Sequence, residues 1–231
     1  TEVVVDTDAK NRLRSGALKR RLLTLSEGTV ILTIRDPDIT TIGDMNLTVE
    51  RGREAPFILC KSLLRVDLKG CAKLASVGNG AFCVCSPLTS VVLPDSLTQM
   101  GDQAFENSTS LTSIVLPDSL TQIDKVAFIA CSSLTSVVLP DSLTQLGKWA
   151  FAECPSLHSV VLPDSAVIVD YVFYECDALL QKVALAGFAS VELYLRDRYK
   201  SITQKKLVLR LLRKYNKAVN DAVGTEAEKH V

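Results

Sequence analysis

Cysteine is the residue of this chain best suited to chemistry, with seven copies against two histidines, and a thiol can close a disulfide, hold a metal or act as a nucleophile. Cys60, Cys85, Cys131, Cys154 and Cys176 recur at a near-constant interval, with Ser108 in the place of one more. A disulfide framework favours an even count and varied spacing, so an odd number at equal spacing reads as a column of small, buried side chains. Free thiols are predicted at Cys131, Cys154 and Cys176. Cys83 and Cys85 form a single C-x-C, and His158 and His230 do not complete the four ligands a zinc site needs.

Other chemistry is absent from the pattern. There is no phosphate loop, no nucleophile elbow and no paired-histidine motif, and the glycines of Gly78–Asn79–Gly80 lack the third glycine of a dinucleotide fingerprint. Asp36, Asp38 and Asp44 miss the spacing and terminal glutamate of an EF-hand and read as a turn. Asn46-Leu47-Thr48 and Asn107-Ser108-Thr109 are glycosylation sequons, which matter only in a secreted eukaryotic setting. No enzyme, cofactor, metal or small-molecule substrate is expected.

The cysteine interval belongs to a larger pattern. Leu93–Gln99 reads LPDSLTQ and returns unchanged at Leu116–Gln122 and Leu139–Gln145, 23 residues apart each time. A catalytic site is built once from unlike residues, so such repetition argues for architecture. In LTSVVLP, Leu88, Val91 and Leu93 alternate with Ser90 and Val92 as in a short strand covered on one side, and Pro94-Asp95-Ser96 turns the corner. GDQAFENS then makes a short helical or irregular return. Phe57, Phe82, Phe105, Phe128, Phe151 and Phe173 fall in one column, six of the seven phenylalanines, and predict a buried spine.

The fold class expected is α/β: a solenoid with a parallel sheet on one side, capped by helices at one or both ends. Four segments follow. Residues 1–29 are expected to form a basic segment with helical character; 30–62 a degenerate repeat with an insertion; 63–187 the solenoid proper, whose last leader, Leu180, opens a half unit; and 188–231 a helical tail. The form L-T-S-V-V-L-P-D-S-L-T-x-I-G-x-x-A-F-x-x-C resembles the BspA-like leucine-rich repeat, strongly over Leu63–Gly187. That resemblance implies a curved solenoid that binds proteins, often at cell surfaces, and it brings no catalytic residues.

The 26 basic and 26 acidic residues cancel overall but not locally. Ten basic and nine acidic residues precede Leu63, six and twelve lie in 63–187, and ten and five follow. Three surfaces are candidates for a protein partner. The outer side of the sheet is expected to carry Ser113, Val115, Ser136 and Val138, with Lys182 and Ala184 in the last unit. The column two residues before each phenylalanine runs Gly80, Gln103, Val126, Trp149, Tyr171 and turns apolar toward one end, so Val126, Trp149 and Tyr171 beside Lys148 form a docking stripe unless the tail covers them. In the tail, Thr203–Val223 sets Leu211, Leu212 and Tyr215 on one helical face and Lys206, Arg210, Arg213, Lys214 and Lys217 on the other.

Such a helix suits an end cap whose basic face meets an acidic protein or an anionic membrane surface. Arg12, Arg14, Lys19, Arg20 and Arg21 repeat the feature at the N-terminus without the aromatic track that nucleic-acid binding would want. No apolar run approaches the roughly 18 to 20 residues of a spanning helix. The expected function is a non-catalytic protein-protein interaction or scaffold module binding through the solenoid surface and the basic helix. The alternatives are a structural subunit of a larger assembly and a cell-surface adhesion protein. Equal cysteine spacing leans toward a reducing intracellular or organellar compartment, with the cell surface as the alternative.

Overall fold

The heptapeptide LPDSLTQ recurs because its leucines, proline, serine and threonine have tasks that successive coils repeat. The computed structural model describes residues 2–5, 30–34, 41–42 and 63–198, apart from 164, 167, 168 and 170. The leucines are buried, and the proline carbonyl closes the corner by accepting from the second leucine's N–H, at 3.2 Å for Leu97 to Pro94, 3.1 Å for Leu120 to Pro117 and 3.0 Å for Leu143 to Pro140. The serine hydroxyl reaches back one coil to a leucine carbonyl: Ser119 Oγ to Leu97 at 2.6 Å and Ser142 Oγ to Leu120 at 2.6 Å. Threonine does the same beside it, Thr121 Oγ1 to Thr98 at 3.1 Å and Thr144 Oγ1 to Thr121 at 3.2 Å. Carbonyls that a tight corner would leave orphaned are thereby satisfied by the next coil.

Stacking coils joins their strands. β1 (Glu2–Val5), β2 (Val30–Ile34), β4 (Leu63–Asp67) and β6 (Ser90–Val92) form a parallel sheet in the order β1-β2-β4-β6. A bridge from Ser113 to Ser136 continues the line to β9 (Ser136–Val138), which pairs with β11 (Ser159–Val161). Partners such as Ser136 and Ser159 stand one repeat apart, so the sequence period is the sheet register. A second parallel ladder, not anticipated from the sequence, runs along another side of each coil. Its strands are β3 (Thr41–Ile42), β5 (Ser76–Val77), β7 (Gln99–Met100), β8 (Gln122–Ile123) and β10 (Gln145–Leu146), in the order β10-β8-β7-β5-β3.

One core fills the interior. Leu88, Leu111, Leu134 and Leu157 belong to it at equivalent repeat positions, as do Val91, Ile114, Val137 and Val160. The phenylalanine spine is present: Phe82–Phe105 and Phe105–Phe128 centroids are 5.2 Å apart, Phe128–Phe151 5.0 Å and Phe151–Phe173 6.0 Å, all stacked. Phe57 lies outside the described residues.

The last coil gives way to helix. Leu180, Lys182 and Ala184, expected in a half unit with a strand, lie instead in α1 (Asp177–Leu185). DALLQKVAL has good helix formers, an acid in its first turn and a lysine in its last, and Gly187 at φ 75° ends it by letting the Phe188 N–H bond the Val183 carbonyl at 3.2 Å. Leu179 and Val183 bury against the solenoid while Lys182 Nζ caps the His158 carbonyl at 3.0 Å. The helical tail expected from 188 onward begins with α2 (Val191–Arg198), anchored by buried Tyr194 and Leu195 and by Arg196 Nη2 on the Ala166 carbonyl at 3.1 Å. These two helices close the open end of core and sheet.

Candidate functional site

The return segment that carries each phenylalanine is irregular rather than helical, for a geometric reason. Alternate N–H groups point along the solenoid axis, as when Val126, Phe128 and Ala130 donate to Lys148, Ala150 and Ala152 at 3.0, 2.8 and 3.0 Å. The N–H between them closes a turn inside the coil, Ile129 to Val126 at 3.2 Å. Peptide planes that flip in this way need left-handed residues. Two appear per coil: Gly80, Gln103, Val126, Trp149 and Tyr171 before the phenylalanine, at φ between 51° and 66°, and Val84, Asn107, Ala130, Glu153 and Glu175 after it. Only Gly80 occupies the region without a steric penalty.

The first of these columns is the stripe singled out in the sequence. Trp149 is 39% exposed and Tyr171 54% exposed, with ring centroids 6.1 Å apart, and Val126 beside them is half-buried. Lys148 Nζ lies 4.3 Å from the Trp149 ring centroid and 5.1 Å from that of Tyr171, in cation–π range of both. Tyr174, which sequence reasoning missed, extends the patch by meeting Tyr171 edge-on at 6.0 Å and is 48% exposed. A hydrogen bond to Glu175, then the charges of Glu175 and Glu153, holds the Tyr174 hydroxyl above its ordinary pKa. The aromatic edge therefore borders negative charge.

That charge lines an open groove of about 610 Å³ beside the patch, with Asn107, Thr109 and Ser132 at one end and Glu153, Glu175 and Asp177 at the other. These acids occupy columns that hold neutral residues in earlier coils. The signal was available as a departure from the repeat: Val84, Asn107 and Ala130 precede Glu153 and Glu175.

The other two candidate surfaces fare differently. Ser113, Ser136 and Val138, expected on an open sheet face, are buried at 6 to 7% exposure, and Val115 is half-buried. A short side chain flanked by its equivalents in coils about 4.8 Å away on either side keeps little accessible surface. Lys206, Arg210, Arg213, Lys214 and Lys217 lie outside the described residues, as do the N-terminal basic residues Arg12, Arg14, Lys19, Arg20 and Arg21.

The cysteine column has a polar task that its reading as small hydrophobes omitted. Cys131, Cys154 and Cys176 donate their thiols to the carbonyls of Phe105, Phe128 and Phe151 at 3.2, 3.3 and 3.0 Å. Ser108 Oγ does the same to Phe82 at 3.1 Å, which explains why serine replaces cysteine there. All three thiols are free and buried, and burial pushes Cys131 up to about 12. Cys154 is raised by its hydrogen-bonded neighbour Cys176 and by burial. Cys85 is buried like the rest of its column but, unlike the three free thiols, is disulfide-bonded. The coil spacing itself lies within the Cα separation a disulfide accepts, so equal spacing did not exclude one. Half-buried Cys83 is free and is pushed up to about 11 by burial and by Glu106. Among the described residues no three His, Cys, Asp or Glu side chains gather to hold a metal ion.

Comparison with known proteins agrees with this architecture. A model of the BspA type leucine-rich repeat region, in six copies, matches residues 53–180. No curated protein matches the chain. Among solved structures, a leucine-rich repeat protein from Bacteroides ovatus is 32% identical over 52% of this chain and 31% of its own, with a TM-score of 0.49. A T. pallidum leucine-rich repeat protein is 30% identical over 56% of this chain and 73% of its own, at 0.46, and the pneumococcal vaccine antigen PcpA is 24% identical over 49% and 28%, at 0.42. The matched region spans under a third of the Bacteroides protein's length. Matched by the repeat model over more than half its residues, the chain belongs to the BspA-type leucine-rich repeat family.

Proposed function

We propose that this chain is a non-catalytic protein-binding module of the adhesion type, docking through the aromatic edge of its last coils. The observation that carries the reading is the exposure of Trp149, Tyr171 and Tyr174 together, the first two at left-handed positions where glycine would fit without strain. Bulky residues persist in such backbone positions when something other than folding favours them, and tryptophan and tyrosine are the side chains that anchor protein interfaces. Disulfide-bonded Cys85 supports an oxidising setting, and so favours adhesion over an intracellular scaffold. The free thiols at Cys131, Cys154 and Cys176 fit that setting, since each is buried and engaged with a carbonyl.

The test compares the immobilised protein with Trp149→Ala/Tyr171→Ala and with Gln99→Ala/Gln145→Ala, a control pair exposed on the second ladder. Proteins retained from a surface extract should fall at least ten-fold with the aromatic double variant and hold with the control. Equal retention by all three would end the assignment of docking to this edge.

A further inference from the structure

The aromatic edge and the groove beside it change character together. Through the coils of Phe82, Phe105 and Phe128 the two left-handed columns carry Gly80, Gln103 and Val126, and Val84, Asn107 and Ala130, with no formal charge. In the coils of Phe151 and Phe173 they become Trp149 and Tyr171, and Glu153 and Glu175, while Asp177 follows at the start of α1. Aromatic faces and carboxylates are thus concentrated in the same two coils. Among the described residues no ion pair engages Glu153, Glu175 or Asp177.

We infer that this edge receives a basic, extended peptide segment of a partner protein, with arginine or lysine cations set between the Trp149–Tyr171–Tyr174 rings and the carboxylates of Glu153, Glu175 and Asp177. The inference rests on the docking reading above and names the chemistry of the occupant. Charge complementarity selects it: three carboxylates against the single cation of Lys148 leave the patch net negative, and aromatic faces attract cations further. Lys148 over Trp149 and Tyr171 shows that these faces already accommodate an ammonium group. Length fits as well. The groove crosses four coils, which at about 4.8 Å per step is roughly 15 Å, the span of four to five extended residues. Tyr174 precedes Glu175 in the chain and meets Tyr171 edge-on, so the aromatic and acidic halves adjoin.

Trp149 is the only tryptophan in the chain and reports on the patch directly. Its emission is followed while the whole protein is titrated with a hexa-arginine peptide, a hexa-glutamate peptide and maltohexaose, at low and at moderate salt. A saturable change is expected with hexa-arginine alone, weakening several-fold as salt rises. Glu153→Gln/Glu175→Gln/Asp177→Asn should weaken it at least ten-fold, with the circular dichroism spectrum unchanged. Equal response to hexa-glutamate, response to the sugar alone, no response at all, or hexa-arginine binding that survives the triple neutralisation would each overturn the inference. The docking reading fails separately: if Trp149→Ala/Tyr171→Ala loses retained partners while hexa-arginine does not bind, docking stands and the basic occupant is wrong.

Discussion

Two columns run along this solenoid two residues apart in sequence, and they obey opposite rules. Phe82, Phe105, Phe128, Phe151 and Phe173 never change and are buried, each ring stacked on the ring of the next coil. Gly80, Gln103, Val126, Trp149 and Tyr171 share one backbone conformation yet change residue at every step and grow more aromatic toward one end. The backbone demand is the same in each coil, so it does not explain the drift. In the first column each residue's environment is its own copy, and a change must be accommodated by two neighbours at once. In the second the environment is outside the molecule and is free to differ from coil to coil.

Truncation should separate the columns most sharply. Phe128→Ala removes a ring held between Phe105 and Phe151 and should lower unfolding stability by about 3 to 5 kcal/mol in a denaturant titration. Trp149→Ala, at an exposed position, should change it by no more than about 0.5 kcal/mol. Comparable losses would mean that the Trp149 column is also part of the structural core, which would remove the ground for treating it as a docking edge.

What was legible in the sequence follows the same division. The phenylalanine spine, the cysteine/serine column and the LPDS corner could be read because a 23-residue period forces like residues into contact. The second ladder could not, because two-residue strands such as Gln99–Met100 are too short to show alternation. The sheet face was misjudged for Ser113, Ser136 and Val138 because alternation predicts which way a side chain points, not how closely its neighbours crowd it. Tyr174, Glu153 and Glu175 are not legible for the reverse reason: they break the repeat, and a period shows only what recurs from coil to coil.

The cysteine column tests whether an interior repeat is fixed by volume or by hydrogen bonding. Cys131→Val keeps most of the volume but deprives the Phe105 carbonyl of its thiol donor, and should lower stability by about 1 to 3 kcal/mol, whereas Cys131→Ser, repeating the solution at Ser108, should lose less than about 1 kcal/mol. Equal losses would make volume the determinant. The wild-type thiol also carries a pH signature. Its folded pKa, about 12, lies above the ordinary value of 9.0, so its contribution is complete below about pH 9 and declines as pH rises toward 12, by about 1.4 kcal/mol per pH unit. Serine does not titrate in this range, and Cys131→Ser should flatten the alkaline slope by one proton's worth.

The smallest effect bears most directly on why the outer column drifts. Val126 is β-branched, half-buried and held at φ 51°, the least comfortable combination among the five residues of its column. Left-handed backbone at a residue with a Cβ carries a penalty of about 1 to 2 kcal/mol, and glycine's extra freedom in the unfolded chain offsets about 0.5 to 1 of the relief. Val126→Gly should therefore raise stability slightly, by under about 1 kcal/mol, while Val126→Ala keeps the strain and should gain nothing. Gly80 shows that the position accepts glycine in a neighbouring part of the same column. Loss of stability in Val126→Gly would mean that the valine side chain contributes more through packing than its backbone loses, and the column would then be structural up to that coil, with the exposed edge beginning only at Trp149. A gain would instead place Val126 with Trp149 and Tyr171 as residues retained against the preference of the backbone, and would extend the docking edge one coil further along the solenoid.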